Sequence, residues 1–125
     1  MSRNDQTHAS EWSITPREFD RIVRWSRLPP PSVDLMATPA NRVVETFISP
    51  FPHPAAFGVD ALTHTWDLPG TMWIYPPTPL IRKVLNKIQQ QTNLRIILVA
   101  PEQESREWYP DLCRYDLLHK KFNKP

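Results

Sequence analysis

At 125 residues the chain is long enough for one hydrophobic core and short for a complete doubly wound enzyme. Its 15 Lys+Arg against 13 Asp+Glu give a net charge of +2, too even a balance to demonstrate nucleic-acid affinity, and its single cysteine, Cys113, excludes an internal disulfide and a cysteine-rich zinc site. With 15 Pro and only 2 Gly, the chain lacks the φ > 0 positions that a glycine-rich phosphate loop requires.

Residues 1–10 are polar and are expected to form a disordered tail. Thr15-Pro16-Arg17-Glu18 then combines an N-cap, a proline at the first helical position and a capping-box glutamate, with Ile14 and Phe19 spaced as a hydrophobic staple. A helix over 16–26 follows, with Phe19, Ile22, Val23 and Trp25 on its apolar side. Leu28-Pro29-Pro30-Pro31 ends it and reads as a stiff connection.

The run 32–37 reads as a short strand carrying one acid, Asp34, which needs a partner if buried. Thr38-Pro39 opens a helical turn through Asn41 and Val43, and 46–49 is extended. Proline punctuates the loop 50–58 around His53, read as a surface residue because a metal site needs three or four ligands and none cluster there. His64 stands near Asp60 and Asp67, but no nucleophile is paired with them and the spacing is unspecific.

A strand over 71–75 ends in Tyr75-Pro76-Pro77. Two prolines remove two backbone donors, so the ladder stops and the strand end faces an open crevice, the usual place for ligands in α/β sheets. Thr78 is then a candidate N-cap and Pro79 a first helical residue, with Leu80, Ile81, Val84, Leu85 and Ile88 forming an apolar stripe through about residue 92. The run 94–100 is nearly all apolar and reads as the central strand, buried on both faces. Pro101 closes it, and a last helix is expected from about residue 107 through Leu112, Tyr115, Leu117 and Leu118, followed by a basic tail over 119–125. This succession predicts an α/β unit with a mostly parallel sheet. No apolar run approaches the ~20 residues of a membrane span, so an intracellular protein, nuclear or cytoplasmic, without membrane partners is expected.

From Val33 onward the chain resembles the Dam-like DNA N6-adenine methyltransferase module found in bacteriophages and in DIRS-type tyrosine-recombinase retroelements, downstream of reverse transcriptase and RNase H. Val33-Asp34-Leu35-Met36-Ala37 with Asn41 looks like that module's opening Asp-x-x-Ala…Asn segment, and Asp60-Ala61-Leu62 with Trp66 looks like its Asp-x-Leu…Trp segment. The strand ending in Pro76-Pro77, and the apolar strand closed by Pro101 and followed by Trp108-Tyr109, correspond in order. Glu11-Trp12-Ser13-Ile14 is similar to the linker joining RNase H to the module.

The resemblance implies a partial Rossmann-like methyltransferase sheet over 32–118, preceded by a linker and helix over 11–31. It sets Asp34, Ala37 and Asp60 beside S-adenosylmethionine, and Tyr75, Pro76, Pro77 and Thr78 at the catalytic motif. Active amino-group methyltransferases carry Asp, Asn or Ser before Pro-Pro and an aromatic after it, to hold and stack a flipped base. Tyr75 has a longer reach than those groups and Thr78 has no π-face, which implies a degenerate, catalytically inactive domain, structural or nucleic-acid-associated. The partners implied are DNA and other domains of a retroelement polyprotein. Two alternatives stand beside it: an active S-adenosylmethionine-dependent adenine methyltransferase with a variant motif, and a protein-interaction module using exposed Trp and Pro residues.

Overall fold

A computed structural model describes residues 14–115 of the chain. The tails over 1–10 and 119–125, the segment 11–13, and Leu117 and Leu118 of the expected last helix lie outside the described residues. The described elements are α1 (Pro16–Ser26), β1 (Pro31–Asp34), β2 (Ile48–Ser49), β3 (Gly58–Val59), β4 (Thr71–Ile74), α2 (Ile81–Gln89), β5 (Ile96–Leu98) and α3 (Tyr109–Leu112).

The start of α1 is as its sequence predicts. Thr15 Oγ1 accepts from the Glu18 amide at 3.1 Å, and the Glu18 carboxylate accepts from the Thr15 amide at 3.0 Å, so two otherwise orphaned donors are satisfied reciprocally. Arg27, at φ 61°, closes the helix in the left-handed region.

All strand pairings are parallel among the described residues. One sheet runs β1-β4-β5 and a second pairs β2 with β3. A parallel bridge between Asp34 and Phe47, with Asp34 N–H donating to Thr46 O at 2.9 Å and Ala37 N–H to Ile48 O at 3.1 Å, joins β2 to β1. The continuous order is therefore β3-β2-β1-β4-β5. The β1–β4 register slips between Pro31 and Val33, where proline offers no donor, and the Ser32 hydroxyl bridges the slip by donating to Pro69 O at 3.0 Å.

Both faces of the sheet are covered. Val33, Leu35, Met72 and Ile74 point to one side and pack with Val84 and Ile88 of α2 and with Trp66. Trp73 and Ile97 point to the other, against Phe19, Ile22 and Val23 of α1, with the Phe19 and Trp73 rings 4.9 Å apart. On its outer flank α2 carries Ile81 and Leu85, which receive Trp108 and Leu112. Arg82 ties the same two segments by pairing with Glu107 at 2.9 Å and Asp111 at 2.7 Å.

Three expectations need correction. The central strand is β4, buried at every residue, while β5 is flanked on one side only among the described residues. An apolar run signals burial, not rank within a sheet. The strand expected over 32–37 is confined to Pro31–Asp34, because the chain leaves β1 to pair residue 37 with β2. Thr78 makes no side-chain cap: Pro77 O accepts from the Leu80 amide at 2.8 Å in a 3₁₀ turn, and α2 proper runs only over Ile81–Gln89. The turn expected after Thr38 is present as a single turn: Thr38 O accepts from the Asn41 amide at 3.2 Å and the Arg42 amide at 3.1 Å, and the Asn41 side chain accepts from the Thr38 amide at 2.7 Å.

Candidate functional site

Because the strands are parallel, their carboxyl ends share one edge of the sheet, where β1 delivers Asp34, β3 delivers Asp60 and β4 delivers Tyr75 to Pro77. Asp34 and Trp73 are register partners, so Tyr75 follows two residues beyond the neighbour of Asp34. Asp60 stands two strand spacings from β1, about 10 Å across the sheet. Asp34, Ala37 and the Tyr75-Pro76-Pro77 run are thus brought to adjacent strand ends, and Asp60 to the same edge at a distance.

Asp34 is only 2% exposed. Its Oδ2 accepts from the Val43 amide at 3.1 Å and its Oδ1 more weakly from the Met36 amide at 3.4 Å. Burial pushes its pKa up to about 6, and the two backbone donors offset part of that rise. Ala37 is buried and fixed by its bond to Ile48 O.

Asp60 is exposed and sits at φ 59°, a left-handed conformation that short carboxylates tolerate. Its side chain accepts from the Leu62 amide at 3.3 Å, capping the 3₁₀ turn Ala61–Thr63. The ring of His64 folds back onto the end of β3, with Nε2 2.9 Å from Val59 O, and a Cβ on Gly58 would meet that ring at 3.1 Å. Strand end, glycine and histidine form one packed corner, so His64 is engaged with backbone and not with Asp60 or Asp67 in the described contacts.

Tyr75 is half-buried. Burial raises its pKa, and the Glu18 carboxylate at the start of α1 raises it further. Sequence reasoning missed this proximity of α1 to the β4 end; the capping box that fixes Glu18 was legible, but its docking on Trp73 was not. Pro76 is buried, whereas Pro77 and Thr78 are half-buried in the turn leading to α2.

S-adenosylmethionine fits poorly beside these residues. Both oxygens of Asp34 are committed to backbone donors, Val43 closes over them into the same cluster as Trp73, and the segment 35–41 contains no glycine to let a ligand approach the backbone. Among the described residues no group of three or more His, Cys, Asp or Glu could hold a metal ion, and His53 Nδ1 is used locally, accepting from the Ala55 amide at 3.0 Å. An open cleft of about 440 Å³ lies at the opposite edge, at the amino ends of β4 and β5, lined by Trp66, Gly70, Gln91, Asn93 and Arg95 among others. No helix among the described residues is long and apolar enough to cross a membrane.

Comparison with protein-family models, with curated proteins and with solved structures finds no match for the chain.

Proposed function

We propose that the chain is a degenerate Dam-like methyltransferase-fold domain of retroelement origin that has lost catalysis and serves as a structural or nucleic-acid-associated module. The observation that supports this most is the strand order β3-β2-β1-β4-β5. It is the order of a doubly wound sheet short of its sixth strand, whose ligand crevice opens between the first and fourth strands. Asp34 and Tyr75-Pro76-Pro77 end those two strands, as the resemblance implies they should. The internal use of both Asp34 oxygens, and the absence of a short hydrogen-bonding side chain before Pro76, speak for lost chemistry.

Calorimetry with S-adenosylmethionine and its demethylated product tests the reading. Binding no tighter than ~0.1–1 mM, about −5 to −4 kcal/mol, is expected. Micromolar binding that disappears in Asp34→Ala would instead establish an active-type cofactor site. A second reading, a protein-interaction module, loses exposed tryptophans as its basis, since Trp66, Trp73 and Trp108 are buried, and draws instead on Phe57, which is 61% exposed beside the half-exposed Val59 on the edge strand β3.

A further inference from the structure

The outward face of α1 carries a stripe of cations that the fold does not use. Spacings of four and three residues put Arg17, Arg21 and Arg24 on one side of the helix, opposite the Phe19, Ile22 and Val23 side that packs on Trp73, and Arg27 extends the run at the C-cap; one exposed acid, Asp20, stands among them. All four arginines are exposed. Arg42, Arg82 and Arg114 each pair with a carboxylate. The four on α1 make no ion pair among the described residues, with Asp20 on the same side or with Glu18, which is occupied by its capping box. The helix dipole favours Arg24 and Arg27 near the C-terminus but disfavours a cation as early as Arg17, so the stripe is not explained by helix stability.

We infer that this face of α1 binds the phosphate backbone of duplex DNA. Arginine presents a planar fork suited to phosphate oxygens, and the stripe uses no lysine. At 1.5 Å rise per residue, Arg17 to Arg24 spans about 10 Å, long enough for the three side chains to reach separate phosphates. The α1 face also adjoins the Tyr75 strand end, since Phe19 lies on Trp73 two residues before it.

The inference rests on the nucleic-acid side of the proposed function and is independent of cofactor binding, which calorimetry reads separately. The test is anisotropy of a labelled 20-base-pair duplex with the full chain at 50 and 200 mM salt, with the single strand alongside. The triple variant Arg17→Gln/Arg21→Gln/Arg24→Gln should bind at least about tenfold more weakly at 50 mM and lose about 2.7 from the slope of log K against log salt, 0.9 for each of three phosphates. A control of equal charge, Lys83→Gln/Arg95→Gln/Arg106→Gln, should retain duplex affinity within about threefold. Circular dichroism melting verifies that both variants fold. An unchanged salt slope in the α1 variant, an equal loss in the control, preference for the single strand, or no duplex binding by the wild type would each overturn the inference.

Discussion

Asp34 shows how a single carboxyl can stand at a strand end with both oxygens turned to backbone amides. It keeps two backbone amides satisfied, those of Val43 and Met36, at the cost of being desolvated. In the folded chain it holds its proton up to about pH 6, against 3.8 for an unperturbed aspartate in the unfolded chain. Folding therefore takes up a proton between those values, and this group's contribution to stability falls as the pH rises through the window, by about 3 kcal/mol in all. Asp34→Asn keeps an oxygen for the Val43 amide and cannot ionise. Urea titrations at pH 4 and 7.5 should show the variant gaining about 2 kcal/mol on the wild type at the higher pH, the remainder of the change falling below pH 4; a difference constant with pH would show that Asp34 is not the group responsible.

Among the elements, β4 carries the interior. Ile74 is completely buried in the central strand, whereas Ile97 lies in β5 with 8% exposure. Truncation to alanine should therefore cost toward the upper part of the ~2–5 kcal/mol range at Ile74 and toward the lower part at Ile97. Thermal melts compare the two, and a costlier Ile97→Ala would restore β5 to the centre. The sequence carried most of this layout in local signals: the capping box of α1, the stripe of Ile81, Val84 and Leu85, and the prolines that end β4 are all readable from spacing. It did not carry β3, because a two-residue strand has no periodicity and Gly58-Val59 is defined by its neighbour. Nor could spacing distinguish the buried Asp34 from the exposed Asp60: both precede short apolar runs, and only the return of Val43 over the first strand separates them.

At the scale of the whole molecule, a sheet with β3-β2-β1-β4-β5 order and helices on both faces gives the carboxyl edge its mixed character. The two strand ends meeting at the switch in order are sealed by Val43 and by proline, while Asp60 stays open to solvent. The arginine face of α1 borders that edge, since Phe19 lies on Trp73 two residues before Tyr75.

The all-parallel pairing also dictates when the parts can form. No described strand pair can close as a tight hairpin, since Met72 pairs with Ile96 across 24 residues (96 − 72) and Pro31 with Thr71 across 40 (71 − 31). Loop-closure entropy separates these two events by only about 0.5 kcal/mol, too little to order them. The shorter loop, however, contains α2, whose Val84 packs on β4 as the loop closes, whereas α1 has no surface to dock on until Trp73 and Ile97 are side by side. In stopped-flow chevrons, Val84→Ala should mainly slow refolding and Ile22→Ala should mainly hasten unfolding. The opposite partition would mean that the N-terminal helix nucleates the domain. On the expected route, the arginine face is the last surface of the molecule to acquire its final setting, so a polyanion that grips it would act on the unfolding rate and leave the rate of folding nearly unchanged.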